Sequence, residues 1–126
     1  MEERQKILAI DDDPMVLMLL ADMLSPAYSL QLAKSAEDAE QLIDQNVPDL
    51  ILLDIQMPGT SGFQFLQKIK KSPSLSRIPV IIVSGHIEIE FVILAEQNGA
   101  SSVVGKPIKK DDLLKKVKRA LESTSA

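Results

Sequence analysis

The chain has no cysteine, which excludes a disulfide framework and a thiolate site and leaves its compartment undetermined by redox. No apolar run reaches membrane-spanning length, and the start, MEERQKILAI, is too polar and too short for a signal peptide. Basic residues are in deficit, 14 against 18 acidic, for a formal net charge of -4. That balance argues against wrapping nucleic acid or lying on an anionic membrane. Histidine occurs once, at His86, and a lone histidine is more often a surface residue than a catalytic one. Internal repeats and linkers are missing too, so one domain is expected over residues 1–121, with 122–126, ESTSA, as a frayed tail. At 126 residues and 45% hydrophobic, the chain is long and apolar enough for one sizeable core. A cytoplasmic location is the default expectation. No DNA-binding or catalytic output segment is read after residue 121.

What is present centres on residues 50–59, LILLDIQMPG. Leu50 to Leu53 read as a strand buried on both faces, Asp54 follows at once, and Met57-Pro58-Gly59 breaks the strand. An aspartate there is either a turn-former bonding its own loop or a ligand group at the carboxyl end of a sheet strand. The rest of the chain favours the second. Residues 6–10, KILAI, are a strand that runs into Asp11-Asp12-Asp13-Pro14, with Asp13 as N-cap and Pro14 as first helical residue. Val16, Leu19, Leu20, Met23 and Leu24 mark the expected buried stripe of helix one, with Leu17, Met18 and Ala21 opposite. Residues 28–33 suggest a half-exposed strand, and Ser35 caps a helix lined by Ala36, Ala39, Leu42 and Ile43.

After Asp54, Ser61 and Gln64 stand in capping-box spacing before Phe63, Phe65, Leu66 and Ile69. Residues 79–83, PVIIV, form a fourth strand, ended by Ser84-Gly85. A helix from about Ile87 to Gln97 stops at Asn98-Gly99, and a brief strand near 102–104 leads into Gly105-Lys106-Pro107. The last helix opens with Asp111 and Asp112 and gathers Lys115, Lys116, Lys118 and Arg119 later, as the helix dipole favours. Strand and helix thus alternate five times. The expected fold is α/β, a (βα)5 flavodoxin-like five-stranded parallel sheet with helices on both faces. Strands one, three and four are the most apolar and should be central.

Four strand ends then supply the aspartates 11 to 13, Asp54, Ser84 and Lys106 to one crevice. Two carboxylates about 4 Å apart repel by roughly 4 kcal/mol at an effective dielectric of 20. Against a total stability of about 5–15 kcal/mol, packing three together calls for a hard divalent cation.

With these residues in place, the chain resembles the receiver domain of two-component response regulators over about residues 5–121. Asp11-Asp12, Asp54 with Met57-Pro58-Gly59, Ser84-Gly85 and Lys106-Pro107 stand where that family has its acidic pair, phosphoacceptor, hydroxyl and lysine. The resemblance implies that Asp54 takes a phosphoryl group from a phosphohistidine. It implies that Asp11, Asp12, Asp54 and the backbone carbonyl of Gln56 hold Mg2+ (or Mn2+), and that Lys106 and Ser84 contact the phosphoryl oxygens. Gly85 would leave room for the group, Gln56 and His86 would tune its lifetime, and Lys106-Pro107 is a candidate cis peptide. The implied partners are a sensor histidine kinase or histidine phosphotransfer protein, and a downstream protein target or homodimer. Neither nucleic acid nor membrane is an expected partner. No enzymatic activity is expected beyond self-catalysed phosphoryl acceptance and autodephosphorylation.

Two departures from the family stand out. Val103 replaces a frequent aromatic on the fifth strand, and Leu17, Met18 and Ala21 make the outer face of helix one apolar. The second suggests a docking face for the phosphodonor; Ile89 and Ile93, beside Val103, suggest an output face. Rival readings are an aspartate-nucleophile phosphohydrolase using Asp11 and a receiver-like binding module not regulated by phosphate. A P-loop fails, because five residues separate Gly99 from Gly105 and Pro107 replaces the required Ser or Thr.

Overall fold

The computed structural model describes residues 4–56 and 62–124. The expected start of the third helix at Ser61 and the break at Met57-Pro58-Gly59 lie outside the described residues. Five short apolar runs become the strands β1 (Lys6–Ile10), β2 (Ser29–Ala33), β3 (Leu50–Asp54), β4 (Val80–Ser84) and β5 (Ser102–Gly105). Between and after them run α1 (Pro14–Leu24), α2 (Ala36–Gln45), α3 (Gly62–Lys71), α4 (Ile89–Gln97) and α5 (Lys110–Thr124). The sheet is parallel throughout, in the order β2-β1-β3-β4-β5, so the three most apolar strands are central as expected.

Helices cover both faces because strand side chains alternate. Leu8, Ile10, Ile51, Leu53, Val80 and Ile82 point to the side of α2, α3 and α4, where Ala39, Ile43, Phe65, Leu66 and Ala95 meet them. Ile7, Ala9, Leu50, Leu52, Ile81 and Val83 point to the other side, against Leu17, Leu20 and Leu24 of α1 and Leu113 and Val117 of α5. Burial on both faces is why β3 and β4 read as unbroken apolar runs.

Local chemistry sets several boundaries. Asp13 accepts a hydrogen bond from the Met15 N–H at 2.9 Å and caps α1, with Pro14 in its first turn. Ser35 caps α2 by accepting from the Asp38 N–H at 3.1 Å. Gly99, at φ 103°, turns the chain out of α4 into β5. α4 begins two residues later than the sequence suggests. α5 runs through Thr124, so it continues past residue 121 and places Lys115 to Arg119 in its middle rather than its last turn.

α1 corrects the expected stripe. Leu17, Leu20 and Leu24 are its buried residues, while Val16 and Met23 are half-buried and Leu19 is exposed. Leu17, expected on the outer face, is 4% exposed and packs in the core. Asp22 is the one charged residue in PMVLMLLADML, so the helix carries almost no polar stripe to show which way it faces. Docking of Leu17, Leu20 and Leu24 on β1 and β3 decides it.

Candidate functional site

Strand register assembles the site. Ile10 pairs with Leu53, so the next residues, Asp11 and Asp54, emerge side by side at the carboxyl edge. Ser84 pairs with Gly105, and Lys106 follows one residue on. Among the described residues the buried polar or charged side chains are Asp11, Asp54 and Ser84, and all three lie at this one edge. Each is oriented by the same local device, accepting a hydrogen bond from the N–H two residues on. Asp11 Oδ1 accepts from Asp13 at 2.9 Å, Asp54 Oδ1 from Gln56 at 3.2 Å, and Ser84 Oγ from His86 at 3.0 Å.

Lys106 reaches in from the far side. Its Nζ donates to Asp11 Oδ2 at 3.2 Å and stands 3.7 Å from Asp54 Oδ1. The peptide bond that follows, Lys106-Pro107, is cis, as the sequence suggests. Asp12 is exposed, yet carboxylate oxygens of Asp11, Asp12 and Asp54 all lie within 4.8 Å of one another. A Cβ at Gly85 would meet no atom within 4 Å, so the crevice is open beside Ser84.

Three like charges and one ammonium leave the cluster short of positive charge. The Asp54 carboxyl is pushed up from 3.8 to about 6, first by burial and next by the Asp11 carboxylate, with a smaller push from Asp12. The Gln56 N–H and Lys106 oppose this and do not prevail. A divalent cation between Asp11, Asp12 and Asp54 would offset both causes, so the residues present fit one. Asp13 is not one of the three, and its Oδ1 caps α1 instead.

The remaining candidates sit around the rim or apart from it. His86 is half-exposed, with Nδ1 3.8 Å from Glu88 Oε1 and its ring 6.2 Å from that of Phe91. Gln56 is exposed at the mouth. Met18 is 69% exposed and Ala21 half-buried, whereas Leu17 is in the core, so the outer face of α1 is Met15, Met18 and Leu19 instead. Ile89 and Ile93 do face outward, at 68% and 46% exposed. Leu94 of α4 is exposed as well, a residue the sequence does not single out because α4 too is apolar nearly all round, and Ile87 is exposed in the segment before α4. Val103 is a second correction. It is 7% exposed, packs with the α2–α4 core and forms the floor of a cleft with Ile87, Val92 and Pro107, so it adds no exposed aliphatic group. Its side chain points along the face that α4 covers.

Comparison with known proteins agrees with this geometry. The family model described as "Response regulator receiver domain" matches residues 7–118. Protein PilH of Pseudomonas aeruginosa is 33% identical over 92% of this chain and 97% of its own length. The nitrate/nitrite response regulator protein NarL of Escherichia coli is 36% identical over 94% of this chain, which spans 56% of NarL. The crystal structure of the receiver domain of NtrX from Brucella abortus superposes with a TM-score of 0.85 at 35% identity, covering 92% of this chain and 98% of that one.

Proposed function

The chain belongs to the response regulator receiver domain family, a family of phosphoacceptor signalling domains, and from that premise we propose that Asp54 is its phosphoacceptor. The observation that carries the reading is the convergence of the buried Asp11, Asp54 and Ser84 with Lys106 at one sheet edge.

In this reading a carboxylate oxygen of Asp54 forms a bond to phosphorus as the P–N bond of a phosphohistidine breaks. The electron pair leaves with the donor imidazole, which ends protonated, and Asp54 becomes an acyl phosphate. Asp11, Asp12, Asp54 and the Gln56 carbonyl would hold Mg2+ (or Mn2+). When bound, the cation supplies positive charge to the phosphoryl oxygens, where charge spreads in a loose transition state. Lys106, already between Asp11 and Asp54, would neutralise another oxygen, and the Ser84 hydroxyl would donate to a third. The Asp54–Gln56 hydrogen bond holds the nucleophile's rotamer before any donor arrives. Gln56 and His86, at the mouth, would tune access of hydrolytic water.

The donor is a sensor histidine kinase or a histidine phosphotransfer protein, docked on Met15, Met18 and Leu19 of α1 beside the crevice, with Ala21 at its margin. The output partner, a downstream protein or a second copy, takes the exposed apolar face of α4, Ile89 and Ile93. Among the described residues no helix is long and apolar enough to cross a membrane. The proposed location is the cytoplasm.

The test is incubation with acetyl phosphate and Mg2+ followed by mapping of the acid-labile adduct. Label is expected on Asp54 and absent from Asp54→Asn. Undiminished label in Asp54→Asn would refute the assignment, and label on Asp11 would move the chemistry there.

A further inference from the structure

α3 begins pressed against the end of β3. Its first residue, Gly62, is buried, and the Gly62 N–H donates to the Ile55 carbonyl at 3.0 Å. A Cβ at Gly62 would lie 2.4 Å from Ile55 Cα, 2.6 Å from the Asp54 carbonyl oxygen and 2.8 Å from Ile55 Cδ1. The first two are backbone atoms, so no side-chain rotation relieves them. The corresponding contacts at Gly99 and Gly105 are to the side chains of Lys70 and Ile87, which can give way.

Carbon contacts settle at about 3.5–4.0 Å, so one added methyl group would part α3 from residues 54–55 by about 1 Å. β3 cannot yield, since it is buried along its length and hydrogen-bonded to β1 and β4. The displacement falls on Ile55 and Gln56 or on the helix. Gln56 carries the N–H that orients Asp54 Oδ1 and the carbonyl assigned above to the metal.

We propose that Gly62 is a positioning residue for the Asp54 crevice: its missing side chain lets α3 clamp the Asp54–Gln56 backbone in the geometry that binds Mg2+. The proposal rests on the phosphoacceptor reading above. Mg2+ demands near-ideal octahedral ligands, whereas Ca2+ accepts irregular ones at longer distances. A misplaced carbonyl therefore weakens Mg2+ binding more than Ca2+ binding, while simple loss of folded protein weakens both alike.

The experiment titrates wild type and Gly62→Ala with Mg2+ and with Ca2+ by calorimetry. Gly62→Ala is expected to bind Mg2+ about 10–100-fold more weakly, the range for loss of a group that orients a metal ligand. Ca2+ affinity should fall much less, so the preference for Mg2+ over Ca2+ drops. Unchanged Mg2+ affinity, or equal loss for both ions, overturns the positioning role. If Gly62→Ala is unfolded in plain buffer, both proteins are titrated in trimethylamine N-oxide, which favours the folded state, and the same outcomes decide. Failure of the wild type to bind Mg2+ would instead overturn the metal-site reading on which the proposal stands.

Discussion

Asp54→Asn should make the metal-free protein more stable at pH 8. A buried carboxyl whose value is pushed up from 3.8 to about 6 binds its proton more tightly in the folded chain than in the unfolded one. Its favourable contribution is therefore complete below pH 3.8, declines as the pH rises through about 6, and is gone above that. At pH 8 the ionised carboxylate costs the fold about 3 kcal/mol, at 1.36 kcal/mol per pKa unit. Asparagine keeps the Oδ1 acceptor for the Gln56 N–H and removes the charge. Its new amide N–H groups, imperfectly partnered, return about 1 kcal/mol of that gain. The net is about 2 kcal/mol, a rise in Tm on the order of 6–10 °C in a domain of this size. The assay is thermal or urea denaturation of both proteins in EDTA from pH 4 to 8. The mutant should be slightly less stable than the wild type at pH 4, where the amide cost remains and the charge costs little, overtake it between 4 and 6, and keep a level lead above 7. Saturating Mg2+ should narrow it, because the cation stabilises the wild type more. A mutant no more stable than wild type at pH 8, or a gap independent of pH, would refute the electrostatic account of the site.

Asp12→Ala removes an exposed carboxylate from the acidic cluster and should weaken Mg2+ binding by about tenfold or more, measured by titration, with little change in unfolding midpoint. Leu17→Ala should destabilise the fold by about 2–5 kcal/mol in urea denaturation, as for other buried leucines; a neutral result would return Leu17 to the surface. Met18→Lys should slow phosphoryl transfer from a phosphohistidine protein while leaving acetyl phosphate labelling at the wild-type rate; equal rates from both donors would reject docking on α1. A fluoride–beryllium phosphoryl mimic should tighten self- or partner association in sedimentation. Ile89→Asp with Ile93→Asp should abolish that gain and leave Asp54 labelling intact.

Most of the fold was legible because strands buried on both faces show as uninterrupted apolar runs, and each of the three central ones ends on, or runs straight into, a polar residue. Turn and cap chemistry marked the boundaries where a side chain closes its own hydrogen bond, as at Asp13 and Ser35. Where that chemistry is absent the boundary slipped: Glu88 makes no side-chain cap, and α4 starts two residues later than expected. Helix facing was legible in full where polarity alternates and in part where it does not, as at Ile89 and Ile93 of α4. α2 has charges opposite Ala36, Ala39 and Ile43, and its face was read correctly. α1 and α4 are apolar nearly all round, so the pattern puts Leu17 outward and gives no sign that Leu94 is exposed.

By itself the sequence determined the set of chemical groups and their order along the chain: Asp11 and Asp12, Asp54, Ser84 and Lys106, each at or just past the end of a strand. Period and composition carry that information locally. Only the tertiary structure decided how those groups act together. Parallel register sets Asp11 beside Asp54, burial raises the Asp54 carboxyl to about 6, and Lys106 reaches both acids across 95 residues from Asp11. Val103 was likewise placed under α4 rather than on the surface by packing alone. Burial and charge proximity depend on groups far apart in the chain, so no local pattern encodes them.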